Sequence, residues 1–257
     1  MMGNLKPNLI AGEWSNGTDA VANINPSDTG DIIAHYARAS ADDAKAAVAA
    51  AHDSAPDWGR SGIQLRHDIL KTASDEISAR RDEIGRLLSR EEGKTLAEGV
   101  AETVRAAQIF DFFAGEALRL VGEKLASVRP GIDVEVTREP VGVLGLITPW
   151  NFPMAIPAWK IAPAICYGNT VVFKPAELVP GCAWVIVDIL HRAGMPPGTL
   201  NLINGPGTIV GQELLDDPRV KAVSFTGSHA TGARVAQASV RHMRKFQLEM
   251  GGKNPLV

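Results

Sequence analysis

Apolar positions change their spacing along the chain, and each change predicts a different element. Over the first forty residues, short apolar runs such as Ile32-Ile33 alternate with turn chemistry at Gly12, Asn16-Gly17, Asn25-Pro26 and Thr29-Gly30, so small strands are expected. Ser40 and Asp43 form a capping-box pair ahead of an alanine-rich run, which predicts a helix from there to Ala51. Ile69, Leu70, Ala73, Ile77, Ile84, Leu87 and Leu88 then recur at helical steps. Lys71, Asp75, Arg80, Arg81 and Glu83 fill the opposite face, giving one amphipathic helix packed on one side. A third helical pattern runs from about Thr95 to Val121, with Val100, Val104, Ala107, Phe110 or Asp111, and Ala114 on one side and Gly122 as its stop.

The spacing then shortens to two. Lys124 to Val128, the Pro130-Gly131 turn, and Ile132 to Thr137 with alternating Ile132, Val134 and Val136 predict a hairpin. From Val141 onward, apolar runs alternate with helix-length segments. Strands are predicted at Val141 to Thr148, Thr170 to Phe173, Leu200 to Ile203 and Val220 to Phe225. Between them fall helices from Ala155 to Tyr167, from Gly181 to Ala193 and from about Thr208 to Leu215, with a further helical pattern from about Ala230. This order predicts an α/β fold: a Rossmann-like parallel sheet with helices on both faces, amino-terminal helices and an inserted β-hairpin. Ligands are expected at the carboxyl ends of the strands.

Composition narrows the partners. The 257 residues are 45% hydrophobic and 21% charged, with a formal net charge of -3, so nothing favours nucleic acid or an anionic membrane, and a small near-neutral substrate fits better. No charged-then-apolar leader and no run of 18 apolar residues is visible, and the two cysteines, Cys166 and Cys182, read as reduced packing residues, so a cytoplasmic location is expected. The six histidines are scattered, and no metal is indicated.

The loops after the predicted strands carry the chemistry. In Pro149-Trp150-Asn151-Phe152-Pro153, two prolines stiffen the backbone, so the Asn151 amide suits a preorganised donor toward an oxyanion. Lys174-Pro175-Ala176-Glu177 pairs a cation with a carboxylate able to hold ribose hydroxyls. Gly205-Pro206-Gly207, with Gly211 beyond, lets flat groups approach the backbone, although its spacing is not the usual dinucleotide fingerprint. Phe225-Thr226-Gly227-Ser228 offers hydroxyls and backbone N–H groups at a helix start, which suits a pyrophosphate. Finally, Leu248-Glu249-Met250-Gly251-Gly252-Lys253 sets a carboxylate, suited to a general base, on an apparent exposed bend. Each feature also has a plain structural reading: Asn151 as a turn residue, Lys174 with Glu177 as an exposed ion pair, Ser228 as a helix N-cap, Gly207 as a tight turn.

Taken together, in this order and at these spacings, the segments Pro149–Pro153, Lys174–Glu177, Phe225–Ser228 and Leu248–Lys253 resemble the aldehyde dehydrogenase superfamily, and the match covers nearly the whole chain. The resemblance implies an NAD- or NADP-dependent oxidation of an aldehyde to an acid through a cysteine thioester. It puts Asn151 at the oxyanion, Glu249 as the base that activates water, and Lys160 in support. Lys174 and Glu177 would hold the adenosine ribose. Ile147, Thr148, Pro149 and Trp150 would line the cofactor cleft, with Phe225, Thr226 and Gly227 beside it, Ser228 on the pyrophosphate, Gly207 and Gly211 beside the adenine, and Met250 next to the base.

The resemblance also divides the chain into a discontinuous NAD(P)-binding domain over 1–121 and 139–257, and an oligomerisation hairpin over 122–138 that implies a homo-oligomer. The family's nucleophilic cysteine falls a few dozen residues beyond Glu249, whereas the sequence stops at Val257 on what looks like the start of a strand, Pro255-Leu256-Val257. A partial gene product without the catalytic domain is therefore expected, inactive by itself. The competing reading is a nucleotide-binding or assembly module that turns nothing over. Ser89–Thr95, Ser127–Gly131 and Ala158–Pro163 look most like the 2,5-dioxopentanoate (alpha-ketoglutaric semialdehyde) branch. Glu177 favours NAD slightly over NADP, because its carboxylate repels a 2'-phosphate.

Overall fold

The computed structural model describes residues 5–17, 19–253 and 255; the strand expected at Pro255-Leu256-Val257 lies largely outside them. Short amino-terminal strands come first: β1 (Leu5–Lys6), β2 (Asn8–Ile10), β3 (Glu13–Ser15), β4 (Asp19–Ile24) and β5 (Ile32–Arg38). Helices α1 (Ala41–Gly59), α2 (Ile63–Ala79), α3 (Arg81–Glu92) and α4 (Leu96–Ala117) follow, then the hairpin β6 (Glu123–Ala126) and β7 (Asp133–Val136). The alternating part is β8 (Val143–Ile147), α5 (Ala155–Cys166), β9 (Thr170–Lys174), α6 (Pro180–Arg192), β10 (Leu200–Leu202), α7 (Gln212–Asp216), β11 (Val220–Gly227), α8 (His229–Arg241) and β12 (Lys245–Met250).

Several expected boundaries move, each for a local reason. The Ser40–Asp43 capping box forms, but α1 continues past Ala51 to Gly59, and near its end Trp58 is buried in a different core cluster from Ala44, Ala47, Val48 and Ala51. The single helix expected over Ile69–Leu88 is two, broken at Arg80, whose guanidinium holds Glu76 and Glu83 on either side of the break. The next helix is capped by Thr95 with Glu98 and stops at Ala117, short of Gly122. The segment expected as a helix from Thr208 is a wide π-helical turn, Gly207–Gly211, running into the short α7. Glu249 stands on strand β12 rather than on a bend; the Gly251-Gly252 pair only follows it.

The main sheet has the order β12-β11-β8-β9-β10-β2-β3. β12, β11, β8, β9 and β10 run parallel, and β2 and β3 add an antiparallel edge. From β8 the chain winds through β9 to β10 on one side, then returns to place β11 and β12 on the other. The two windings part between β8 and β11, which is where an open α/β sheet leaves a crevice at its strand ends.

Alternating strand residues feed two cores. Leu146, Val171, Phe173, Leu200 and Leu202 face α2, α4, α5 and α6, packing against Phe110, Ile161 and Ile186. Val143, Val172, Val220, Val223 and Phe225 face α1, α7 and α8, packing against Val48, Leu214 and Val235. All five residues of β9 are buried, as a central parallel strand covered on both faces requires. Each fully buried Phe, Leu or Ile contributes roughly 1.5–3 kcal/mol.

Buried charges sit at helix ends, where free backbone groups compensate them. The Glu91 carboxylate accepts from the Gly181 and Cys182 N–H groups at 2.8 and 2.7 Å, closing the start of α6. Arg66 donates to the carbonyls of Trp58, Gly59 and Cys166, binding the ends of α1 and α5 to α2. Arg244 holds the carbonyls of Leu214, Leu215 and Val220 below the sheet. By contrast, among the described residues the hairpin strands β6 and β7 pair only with each other, and they are exposed throughout, as is the expected apolar row Ile132, Val134 and Val136.

Candidate active site and nucleotide cleft

At the crevice between β8 and β11 a cavity of about 840 Å³ opens beside the ends of β8, β11 and β12. Its walls include Ile147, Thr148, Pro149, Trp150 and Asn151 from the β8 loop and Lys160 from α5. Phe225, Thr226, Gly227 and Ser228 come from the end of β11, and Glu249 and Met250 from β12. A second cavity of about 460 Å³ lies beside it, lined by Lys174, Glu177, Gly207 and Gly211; Ile147 and Thr231 belong to both. The sequence-predicted residues thus meet along one continuous cleft.

Parallel pairing explains why Glu249 reaches the β8 loop. Thr226 stands opposite Glu249, Ser224 opposite Gln247 and also opposite Leu146, so three strands end in step. In β12 the alternation places Lys245, Gln247 and Glu249 on one face. Four side chains form a hydrogen-bonded chain beside the cavity, in which three donate and Glu249 accepts. Lys160 Nζ donates to Ser224 Oγ at 2.6 Å, Ser224 Oγ donates to Gln247 Oε1 at 2.8 Å, and Gln247 Nε2 stands 3.5 Å from Glu249 Oε1. Burial pulls the Lys160 ammonium down to a pKa of about 8, and the Glu249 carboxylate partly opposes this. Ser224 and Gln247 were not singled out by the motifs; a hydroxyl inside the apolar run Val223-Ser224-Phe225 and the shared face of Gln247 and Glu249 were the available signals.

The second cavity differs from the expected pairing. Lys174 and Glu177 do not contact each other as an ion pair. Lys174 is 5% exposed and donates to the Pro175 carbonyl at 2.6 Å, and its burial lowers its pKa to about 8. Glu177 instead accepts from Arg38 at 3.3 Å. An ammonium has three donors, and at Lys174 one is used, leaving a desolvated cation facing the cleft. Gly207 and Gly211 form the opposite wall: a Cβ at either would sit 3.9 or 3.7 Å from the Lys174 stem, filling the space between. Ser228 caps α8, accepting from the Thr231 N–H at 3.3 Å and donating to the Thr231 hydroxyl at 3.0 Å, so the N-cap reading is realised alongside its place in the cavity. Thr231, Arg234 and Gln212 complete this part of the cleft and were not anticipated.

Neither cysteine is near the chemistry. Cys166 ends α5 and Cys182 begins α6; both are buried, and burial pushes the Cys166 thiol up to about 11 and the Cys182 thiol well above its ordinary value. Thiols held protonated in a core are packing groups, not nucleophiles. Among the described residues, no group of three or more His, Cys, Asp and Glu is arranged to hold a metal ion, and no helix is long and apolar enough to cross a membrane.

The profile of the aldehyde dehydrogenase family matches residues 14–257. The chain belongs to the aldehyde dehydrogenase family. It is 44% identical over 254 residues to an alpha-ketoglutaric semialdehyde dehydrogenase of Bacillus subtilis, covering 97% of this chain and 52% of that one. It is 40% identical over 250 residues to an alpha-ketoglutarate semialdehyde dehydrogenase of Haloferax volcanii, covering 96% and 52%. Among solved structures, betaine aldehyde dehydrogenase from Staphylococcus aureus in complex with NAD+ superposes with a TM-score of 0.94 at 33% identity, covering 98% of this chain and 51% of that one. An E. coli NADP-dependent enzyme superposes with a TM-score of 0.93, also at 33% identity, covering 97% and 52%. The chain spans about half the length of the curated relatives it matches.

Proposed function

We propose that these residues are the nucleotide-binding half of an NAD(P)-dependent aldehyde dehydrogenase, and that the 257-residue chain alone binds the dinucleotide without oxidising aldehyde. The observation that carries this reading is the continuous cleft: a buried, under-partnered Lys174 beside Glu177 at one end, and Asn151 with the Lys160–Ser224–Gln247–Glu249 chain at the other. The residues present fit a dinucleotide. Glu177 and Lys174 would hold the adenosine ribose, the Gly207–Gly211 wall would admit the adenine, and the N–H groups at the start of α8, with Ser228, would take the pyrophosphate.

When bound, the nicotinamide supplies the acceptor for the two electrons that leave the aldehyde carbon. The chain's own groups do the rest. The Asn151 amide donates toward the oxygen of the attacked carbonyl, and the Glu249 carboxylate takes a proton from the water that releases the acid. Lys160 and Ser224 hold the donor chain that ends at Glu249. The thiol nucleophile would come from sequence outside these residues, because Cys166 and Cys182 are buried in helix packing.

The relatives that handle alpha-ketoglutaric semialdehyde support 2,5-dioxopentanoate as the aldehyde. NAD is the preferred cofactor in this reading because Glu177, which lines the second cavity, would repel a 2'-phosphate there, and the similar structures in complex with NAD+ support it. The exposed hairpin β6–β7 would join copies of the full protein, and the reduced, buried thiols suit the cytoplasm. Titration calorimetry of the chain with NAD and NADP tests the central claim. Saturable 1:1 binding of NAD that is weakened by Glu177→Ala is expected; no binding of either nucleotide at millimolar concentration overturns it.

A further inference from the structure

Asn151 stands on a loop whose own contacts are few, and the group that holds it comes from outside the cleft. Lys94, in the turn between α3 and α4, donates from Nζ to the Asn151 carbonyl at 2.7 Å, the only donor to that carbonyl among the described residues. The same ammonium donates to Glu102 Oε2 at 2.7 Å and lies 3.1 Å from Glu92 Oε2. It also stands 3.8 Å from the centroid of the Phe152 ring, so it grips the residue after Asn151 through a cation–π contact. The other oxygen of Glu102 accepts from the N–H groups of Met154 and Ala155 at 2.9 and 3.1 Å, fixing the start of α5 where the loop ends.

Both carboxylates are almost wholly buried, with side-chain exposures of 4% for Glu102 and 6% for Glu92, and Lys94 is at 18%. Charges held this far from water keep one geometry, because each depends on the others for compensation. The loop is thereby fastened at the Asn151 carbonyl, at the Phe152 ring and at the first N–H groups of α5. A displacement of a catalytic donor by about 1 Å costs on the order of a hundredfold in rate.

We propose that Lys94, anchored by Glu102, is a positioning residue for Asn151: it fixes the peptide that carries the oxyanion donor while touching neither substrate nor cofactor. The proposal rests on the functional reading above for its kinetic consequence, but not for its structural one. Two measurements therefore decide it. In the 257-residue chain, hydrogen exchange of the amides over 148–156 should accelerate by at least about tenfold in Lys94→Met, with exchange in β11 and β12 unchanged. Equal exchange in wild type and variant overturns the proposal whether or not any aldehyde is oxidised.

In the full-length protein that carries the nucleophile, Lys94→Met should lower kcat roughly tenfold to a hundredfold, and Lys94→Arg should recover part of the loss. The decisive comparison is in an Asn151→Ala background, where Lys94→Met should have almost no further effect because both act through the same amide. A loss of the same size in both backgrounds would mean that Lys94 serves stability alone. If Lys94→Met does not fold because Glu102 is left unpaired, Lys94→Met/Glu102→Gln removes both charges and is read in the same way. A wild-type protein that oxidises no aldehyde would contradict the functional reading, and the exchange measurement would still decide the positioning role.

Discussion

Lys160 Nζ donates to Ser224 Oγ at 2.6 Å, and that hydroxyl is the only hydrogen-bond acceptor of the ammonium among the described residues. The contact joins α5 to β11 beneath the cavity and starts the donor chain that ends at Glu249. Burial already lowers the Lys160 pKa to about 8, so removing the acceptor should lower it further. A hydrogen bond to a charged group contributes about 1.5–3 kcal/mol. Ser224→Ala is therefore expected to move the Lys160 titration midpoint down by about 1 to 2 pH units. NMR titration of the lysine side chain measures this directly; an unchanged midpoint would show that the hydroxyl does not support the charge.

The ion pair between Arg38 and Glu177, at 3.3 Å, bears on cofactor choice. Arg38 also faces Asp19 at 3.5 Å, so the guanidinium is shared between two carboxylates. Glu177→Ala removes the group that would repel a 2'-phosphate and releases Arg38 beside the same position. The NAD-to-NADP affinity ratio should then shift toward NADP by about tenfold to a hundredfold, the size of one charged hydrogen bond gained. Paired titrations of the wild type and the variant with both nucleotides check this. Loss of NAD affinity without any gain for NADP would place Arg38 out of reach.

Strand ends were the legible part of this molecule. The ends of β8, β9 and β11 carry residue types that strand interiors avoid: Asn151 and Ser228 follow their strands, Lys174 closes β9, and all three line the cleft. Pairings across the fold were not legible. Lys174 next to Glu177 in sequence suggested a pair, yet burial turns the lysine to the Pro175 carbonyl, and Glu177 finds Arg38, 139 positions away. Ser224 looked like one polar residue in an apolar strand, and only the parallel register sets it opposite Gln247. The break at Arg80 was hidden because Ile77 and Ile84 both stay in the core, so the apolar rhythm runs through a kink that the backbone does not share.

Gly99 tests how closely α3 and α4 approach. In an exposed helix, glycine to alanine stabilises by about 1 kcal/mol. Here a Cβ at Gly99 would lie 2.5 Å from the Gly85 carbonyl oxygen and from Ser89 Oγ, and one at Gly85 would lie 2.7 Å from the Val100 backbone. The collision at Gly85 O is with a backbone that cannot rotate away, so the steric term exceeds the helix preference. Gly99→Ala is expected to destabilise by about 1–3 kcal/mol, read from urea unfolding at constant m-value. A stabilised variant would show that the two helices have room to separate.

Lys174 sets function against stability, and the sign can be followed with pH. Its pKa is about 8 in the fold, against 10.5 for an ordinary lysine, because burial disfavours the charge. Below pH 8 both folded and unfolded chains carry the proton, and the fold bears the full cost of the buried ammonium, on the order of 3 kcal/mol. Between pH 8 and 10.5 the unfolded chain binds more protons than the folded one, so this group makes stability rise with pH. Lys160 adds a slope of the same sign over the same window. Lys174→Met should therefore be more stable than the wild type at pH 7, lose that advantage as the pH approaches 10.5, and show a smaller rise between pH 8 and 9, before the raised Cys166 and Cys182 thiols add a slope of opposite sign. Under the proposed function it should also bind NAD more weakly, since the desolvated ammonium is what the ribose would meet. Urea unfolding across this pH range, with nucleotide titration at pH 7, separates the two effects. A variant with the wild-type slope would mean that the Lys174 ammonium is solvated in the folded chain.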